Sequence, residues 1–141
     1  MLLIDTSLWV AIYRDTSGSV SRYVQSVIGT ERIVFCQFIR AELLQGCRDE
    51  REWARMLEYL DHQECVEMGA GGWTEAARIY FDLRQRGLTV RSTFDCCIAV
   101  VALEHGLTLL HNDTDFERIA TVRPLQHRRI TLDHLRQGAT Q

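Results

Sequence analysis

The sequence predicts a three-layer α/β/α fold in which helices cover both faces of a short, mainly parallel sheet of about four to five strands. Short, continuously apolar segments alternate with helical segments along the chain. Parallel strands read as apolar runs because both of their faces are buried. The chain has 141 residues, 46% of them hydrophobic, and contains no repeat or linker. It is therefore expected to form a single domain, residues 1–141.

Hydrophobic patterning and turn residues place the individual elements. The strands are expected at residues 1–4, 32–35, 64–68 and 107–111, with an additional edge strand at 121–125, where Pro124 is tolerated. The helices are expected near residues 6–14, 20–29, 37–46, 53–60, 73–86, 94–105 and 115–120. Thr6 or Ser7 is expected to cap the first helix, while Gly87 and Gly106 end the two long ones.

Composition excludes several classes of protein. The chain carries 16 basic residues, and all of them are arginine. The absence of lysine excludes P-loop nucleotide binding and Schiff-base chemistry, and it argues against a receiver domain, whose phosphate chemistry relies on a lysine. The net charge of -3 gives no general basic surface, so any nucleic-acid contact must come from a local patch.

The cysteines and the hydropathy indicate the compartment. The five cysteines are odd in number and form no C-x-x-C pair, which argues against a disulfide framework and against a structural zinc site. We expect most of them to be small buried hydrophobes in a reducing cytoplasm. No apolar run is long enough to cross a membrane, and no signal peptide is recognisable.

Acidic residues follow two of the predicted strands directly. Asp5 follows the apolar run MLLI, and Asp113 follows the strand that ends at His111. In open α/β sheets, ligands gather at the carboxyl ends of the strands. The two strands are therefore expected to bring their acids to one shared edge of the sheet.

Two further acids lie beside buried helical faces. Glu42 lies at the edge of the apolar stripe of its helix, in the segment QFIRAELLQG. Asp95 begins the most apolar helix of the chain and is followed by eight residues without a polar side chain other than cysteine. A helix of this kind is buried nearly all round, so Asp95 needs a partner.

Each acid taken alone also has a structural explanation. Ser92 and Asp95 fit a capping box, as do Thr114 and Glu117, which makes Asp115 a partner of the helix dipole. Asp5 would cap the first helix, and Glu42 would pair with an arginine. Together, however, these acids would crowd negative charge at one edge, which is costly at low dielectric. A bound divalent cation removes that cost, and all-oxygen ligation favours Mg²⁺ or Mn²⁺.

The acids stand in a recognisable order. IDTS near residue 5, AELLQG near 42, FDCCIAVVA near 95 and HNDTDF near 113 resemble the PIN-domain ribonucleases, and the short chain resembles a VapC-type toxin of a toxin–antitoxin pair. The resemblance covers essentially the whole chain. It departs from the family pattern at His111, where threonine is usual, and at the cysteines after Asp95, where alanine is frequent.

The resemblance implies a function and a set of residues. It implies an endoribonuclease that uses one or two Mg²⁺ or Mn²⁺ ions, forms a homodimer and is neutralised by a VapB-type antitoxin. Its RNA substrate would be a transfer RNA or another RNA of translation. By position, the acidic quartet would be Asp5, Glu42, Asp95 and Asp113. Asp115 would be an additional metal ligand, and Thr6 or Ser7 the hydroxyl that follows the first acid.

The chemistry expected at such a site is phosphodiester hydrolysis. Divalent cations would polarise the phosphate and activate a water for in-line attack, giving a 5′-phosphate and a 3′-hydroxyl. Arginines beside the acids would guide the RNA, and the candidates are Arg14, Arg40 and Arg91. The basic run 127–129 would contact RNA, or else anchor a dimer or a tail. A groove among the helices would suit an amphipathic antitoxin segment.

Other functions stay open at this point. A structure-specific DNA nuclease would use the same acids, because a metal site does not detect the 2′-hydroxyl. A non-catalytic binding module would retain the metal site without cutting. A haloacid-dehalogenase-like phosphatase would need a second aspartate two positions after Asp5, where Ser7 stands.

Overall fold

A computed structural model describes residues 1–138 of the chain. The strands are β1 (Leu2–Ile4), β2 (Ile33–Cys36), β3 (Cys65–Val66), β4 (Thr108–His111) and β5 (His127–Arg129). The helices are α1 (Thr6–Arg14), α2 (Ser19–Ile28), α3 (Gln37–Gln45), α4 (Glu50–Asp61), α5 (Gly72–Gln85), α6 (Thr93–His105), α7 (Thr114–Ala120) and α8 (Asp133–Gly138). Within this part of the chain, no helix is long and apolar enough to span a membrane.

The five strands form one parallel sheet in the order β3-β2-β1-β4-β5. Leu2, Leu3 and Ile4 of β1 are all at most 1% exposed. Successive strand residues point to opposite faces, so both faces of the sheet are covered by helices. The predicted α/β/α fold with a parallel sheet is confirmed.

The order in which the chain adds strands to the sheet reverses at β1, the central strand. From β1 the chain adds β2 and then β3 on one side, and it later adds β4 and then β5 on the other. The carboxyl ends of β1 and β4 therefore meet at a topological switch point, where open α/β sheets bind ligands. Helix α6, with seven buried residues between Cys96 and Ala102, packs beside β4.

The C-terminal part of the chain differs from the prediction. The edge strand expected at 121–125 is wrong, because the N–H groups of Thr121 and Val122 already close the last turn of α7 and Pro124 has none. The basic run at 127–129 forms the edge strand β5 instead, paired with β4 from Leu109 to His111. Helix α8 was not predicted.

The buried cysteines behave as the sequence indicated. Cys36, Cys96 and Cys97 are fully buried, whereas Cys47 is half-buried and Cys65 is exposed. All five are free thiols. Burial raises the pKa of the Cys36 and Cys96 thiols to about 12, so these side chains act as small hydrophobes.

Candidate functional site

The aspartates after β1 and β4 cap the helices that follow them. Asp5 is the N-cap of α1, and its Oδ2 accepts a hydrogen bond from the Ser7 N–H at 3.1 Å. Asp113 is the N-cap of α7, and its Oδ1 accepts from the Asp115 N–H at 2.9 Å. Of the caps expected for the first helix, Asp5 is confirmed and Thr6 or Ser7 is wrong, and α7 is capped by Asp113 instead of the expected Thr114. Both helices begin at the switch point, which fixes both carboxylates there.

Asp95 joins these acids from α6. The helix is capped by Ser92, whose Oγ accepts from the Phe94 N–H at 3.1 Å, so Asp95 lies in its first turn. Asp95, Asp113 and Asp115 each offer one carboxylate oxygen, and these three oxygens lie within 4.8 Å of one another. Acids from two distant parts of the sequence are thus brought together, and the charge of Asp5 also acts on Asp95.

Crowding is strongest at Asp95. Burial, reinforced by the charges of Asp5 and Asp113, raises the pKa of the Asp95 carboxyl to about 8. A side-chain hydrogen bond with Asp115 acts in the same direction, because it favours the protonated form of Asp95 as donor. The site therefore holds more negative charge than it can accommodate without a proton or a cation.

Asp5 and Glu42 extend the acidic site on its other side. Burial raises the pKa of Asp5, which is 5% exposed, although hydrogen bonds from the Ser7 Oγ at 2.6 Å and the Ser7 N–H oppose this effect. Burial and the charge of Asp5 also raise the pKa of Glu42. Thr6 Oγ1 donates to Glu42 Oε1 at 3.3 Å. The two predicted hydroxyls thus each support one acid.

Asp115 has a structural task that the sequence did not reveal. Its Oδ2 accepts from the Arg91 N–H at 3.0 Å, and its Oδ1 accepts from Arg118 Nη1 at 3.2 Å. The same Arg118 nitrogen donates to the Thr89 carbonyl at 3.1 Å. Asp115 and Arg118 therefore tie the segment before α6 to α7. The spacing of three residues within a helix was the available signal for this pair.

His111, which replaces the usual threonine, holds the loop that carries Asp113. It is fully buried, and burial lowers its pKa to about 4, with His127 contributing. The neutral ring accepts the Asp113 N–H at Nδ1 (3.1 Å), so its Nε2–H donates to His127 Nδ1 at 2.9 Å. Arg129 of β5 adds a hydrogen bond to Asn112 Oδ1 at 3.3 Å. Sequence reasoning missed the contacts of His127 and Arg129, because they depend on which residues form β5.

The three candidate RNA-guiding arginines lie in different surroundings. The Arg91 Nη2 donates to Asp113 Oδ2 at 2.8 Å, so Arg91 lies at the acids as predicted. Arg40 instead pairs with Asp61 at 2.6 Å, and none of its described contacts involves an acid of the site. Arg14 lies on the wall of a groove.

That groove has a volume of about 970 Å³ and runs between α1, α3 and α4. Its apolar walls include Trp9, Met56 and the exposed rings of Tyr13 and Tyr59. Glu42 also lines it, so one wall belongs both to the groove and to the acidic site. The charged members of the lining are Arg14, Glu42, Arg48, Glu52 and Arg55.

A parallel α/β domain that gathers carboxylates at its switch point has the oxygen donors that could hold a divalent cation. The model of the PIN domain family matches residues 2–122. The chain is 36% identical over 134 residues to the VapC ribonuclease Mb1587 of Mycobacterium bovis and equally to the ribonuclease VapC11 of Mycobacterium tuberculosis, covering 89% of this chain and 96% of each relative.

Its fold is similar to that of a chain in the VapBC2 structure from Rickettsia felis bound to a DNA fragment from their promoter. The TM-score is 0.73 at 20% identity, covering 92% of this chain and 98% of that one. The protein described here belongs to the PIN domain family. The resemblance drawn from the four acidic motifs is therefore confirmed.

The strain at Asp95 should be visible in the stability of the metal-free protein. The pKa of Asp95 is about 8 in the folded protein, above its ordinary value of 3.8. The proton on Asp95 therefore stabilises the fold fully below pH 3.8, and this stabilisation is lost as pH rises through about 8. Asp95→Asn keeps a donor for Asp115 and removes the charge. In chelator, we expect it to raise the free energy of unfolding at pH 8 by about 1–3 kcal/mol.

Urea unfolding of both proteins across this pH range measures the effect. The gap between them should widen as pH rises. Glu58→Gln, at an exposed acid of α4, is the matched control and should leave the curves unchanged. A parent that is more stable than Asp95→Asn at pH 8 would contradict the idea of strain.

Proposed function

We propose that this chain is an endoribonuclease toxin that hydrolyses RNA with the help of Mg²⁺ or Mn²⁺, and that a VapB-type antitoxin neutralises it. The curated relatives that it resembles over most of its length are named as VapC ribonucleases. The observation that carries the proposal is the gathering of three carboxylate oxygens within 4.8 Å, at a site where the Asp95 pKa rises to about 8.

The donor set fits a hard divalent cation. Carboxylate oxygens are the ligands that Mg²⁺ and Mn²⁺ prefer, and a cation offsets the repulsion that burial creates at Asp95. Asp5, Asp95 and Asp113 are the proposed ligands, with Glu42 completing the quartet. Asp115 is a weaker candidate, because the Arg91 N–H and Arg118 hold its two oxygens and tie them to the fold, whereas one oxygen of Asp113 is held only by the exposed Arg91 guanidinium.

When bound, one or two ions would supply charge stabilisation to the phosphate and lower the pKa of the attacking water. The protein's own residues do the positioning. Ser7 orients Asp5, and Thr6 holds Glu42 Oε1. Glu42 Oε2 accepts no described hydrogen bond, and the raised pKa of Glu42 suits it to take a proton from that water.

The substrate preference distinguishes this proposal from its nearest rival. The acids would also serve a structure-specific DNA nuclease, since they act on the phosphate and not on the sugar. The names of the relatives favour RNA. We propose a transfer RNA or another RNA of translation as substrate, cleaved to a 5′-phosphate and a 3′-hydroxyl. The cell compartment we propose is the cytoplasm.

Loss of the acids should abolish cleavage. Asp5→Asn and Asp95→Asn should each lower the rate on a panel of transfer and ribosomal RNAs by about a hundredfold or more, because each removes a ligand and a charge from the reacting phosphate's surroundings. Chelator should have the same effect, reversed by Mg²⁺ or Mn²⁺. Product ends and rates would be read by sequencing and gel analysis.

The controls separate the alternatives. Glu58→Gln should cut at the parental rate. Equal cutting by the parent and both aspartate variants would exclude the acidic site as catalytic. Cleavage of matched DNA but not of RNA would favour the DNA nuclease, and metal binding without cleavage of either would favour a binding module.

The groove between α1, α3 and α4 is the proposed binding site of the antitoxin. Its lining includes apolar side chains, as an amphipathic segment requires, and Arg14 and Arg55 also line it without an ion-pair partner among the described residues. Charge complementarity therefore favours a segment that carries acidic residues. Because Glu42 lines the same groove, a segment lying in it would end beside the catalytic acids.

A charge placed in this groove should release the antitoxin without harming the enzyme. Tyr13→Arg replaces a half-exposed ring of the groove wall, and we expect the affinity for the antitoxin encoded beside the gene to fall by about tenfold to a hundredfold. Trp53→Arg, at an exposed aromatic of α4 outside the groove, is the matched control. Calorimetric titration measures the affinity, and an unchanged value for Tyr13→Arg would place the antitoxin elsewhere.

A homodimer is the proposed assembly, and α5 is its candidate surface. Trp73, Ala77, Phe81 and Arg84 are exposed along one stripe of this helix, with Trp73 at 56% and Phe81 at 40% exposure. Large aromatic side chains on one exposed stripe are typical of an interaction surface. The Trp73 ring also packs edge-on against Phe38 in the core, which fixes its orientation.

Reversing the character of this stripe should give a monomer. We expect Trp73→Glu to weaken self-association by about a hundredfold, because it replaces the most exposed aromatic ring of the stripe with a charge. Sedimentation velocity over a concentration series measures the shift. Trp53→Glu is the control and should sediment like the parent, and a Trp73→Glu variant that stays dimeric would show that α5 is not the interface.

A further inference from the structure

Arg91 is attached to the acidic site in two ways. Its backbone N–H donates to Asp115 Oδ2 at 3.0 Å, which fixes the base of the side chain. Its guanidinium donates from Nη2 to Asp113 Oδ2 at 2.8 Å, and Nε lies 3.6 Å from Asp115 Oδ2. Nevertheless, the side chain is 80% exposed. The guanidinium thus lies across the solvent side of the carboxylates rather than within the protein.

The contrast with Arg118 indicates that Arg91 is free to leave. Arg118 bridges Asp115 and the Thr89 carbonyl, so its departure would break a link between two chain segments. Among the described residues, the guanidinium of Arg91 forms hydrogen bonds or ion pairs only with Asp113 and Asp115. Its backbone anchor does not depend on where the guanidinium points. Rotation of the side chain would therefore cost the fold little besides the two ion pairs that this exposed guanidinium forms.

A divalent cation in the acidic site would disturb this contact directly. The cation would need oxygens of Asp113, and the Arg91 guanidinium already holds Asp113 Oδ2. Two cations sharing one carboxylate a few ångströms apart repel each other. The Arg91 guanidinium lies within ion-pair distance of both Asp113 and Asp115. A metal ion must therefore displace a positive charge that the site already favours.

We propose that Arg91 is an exchangeable counter-cation, which neutralises Asp113 until a divalent cation binds and then turns outward to bind a phosphate of the RNA. The binding of an RNA phosphate by Arg91 rests on the function proposed above, whereas the exchange of Arg91 for a divalent cation concerns the metal alone. Arginine suits both tasks, because its planar guanidinium binds carboxylate and phosphate with the same pair of donors. The backbone anchor keeps the side chain at the mouth of the site in both positions.

The exchange predicts opposite effects of one substitution on two affinities. Arg91→Met keeps the length of the side chain and the backbone anchor but removes the charge. Mn²⁺ should bind this variant about threefold to tenfold more tightly than the parent, because no cation has to be displaced. A short single-stranded RNA, held with Ca²⁺ in place of Mg²⁺, should bind about threefold to tenfold more weakly, with a salt dependence reduced by about one phosphate contact.

Two further variants make the test specific. Arg91→Lys keeps the charge, so its Mn²⁺ affinity should stay close to that of the parent. Arg51→Met removes a charge from an exposed position of α4 that forms no described ion pair, and both affinities should stay parental. Calorimetric titration gives the Mn²⁺ affinities, fluorescence anisotropy over a salt series gives the RNA affinities, and thermal unfolding verifies that each variant folds.

The outcomes separate this proposal from the function on which it rests. Tighter Mn²⁺ binding by Arg91→Met together with a shallower salt dependence supports the exchange. Unchanged or weaker Mn²⁺ binding by Arg91→Met, or an unchanged salt dependence, overturns it while the metal site itself stands. Failure of the parent and of every variant to bind Mn²⁺ overturns both the exchange and the metal-dependent nuclease.

Discussion

Repulsion between carboxylates at the meeting point of β1 and β4 is the constraint on which the remainder of the molecule depends. Asp5, Asp95 and Asp113 reach this point from three separate elements, and their combined charge and burial raise the Asp95 pKa to about 8. Such a cluster survives in a folded chain only if other interactions offset its cost. The fully buried β1 and the apolar helix α6 supply that stability, because they anchor the acids to the buried core of the protein.

Hydrogen-bond donors of the chain also reduce the repulsion between the carboxylates. Hydroxyl groups donate to two of the acids, and guanidinium groups donate to two others. These donors keep each carboxylate oriented while leaving a net negative charge. Full neutralisation by internal ion pairs would have produced a stable but inert site. Partial neutralisation leaves negative charge on the carboxylates, which a divalent cation is suited to balance.

The fold and the acids could be predicted from the sequence because both depend on local patterns. Apolar runs ending in Asp5 and Asp113 defined two central strands and, with the rule for switch points, their common edge. The C-terminal region could not be predicted in the same way. Residues 127–129 form the edge strand instead of 121–125 for two reasons. Helix α7 had already used the N–H groups at 121 and 122, and the His127 side chain forms a hydrogen bond with His111.

Side-chain roles were harder to predict than positions. Helical spacing placed Glu42 at the margin of a buried face, and the structure shows that this margin is shared between the acidic site and the groove. No local pattern carries that information, because the groove is built from three helices. The shared wall is also what would let a partner in the groove contact Glu42 without covering the other acids.

The two aspartates of the sequence DTDF show that equal residues two positions apart need not be equivalent. Asp115 is 2% exposed, and both of its oxygens accept from donors that hold the segment before α6. Asp113 caps α7 with one oxygen and offers the other to a guanidinium that is 80% exposed. One acid is therefore committed to the fold, whereas the other can exchange its partner. Proximity alone does not distinguish the two acids, whereas the donors that each acid already has do distinguish them.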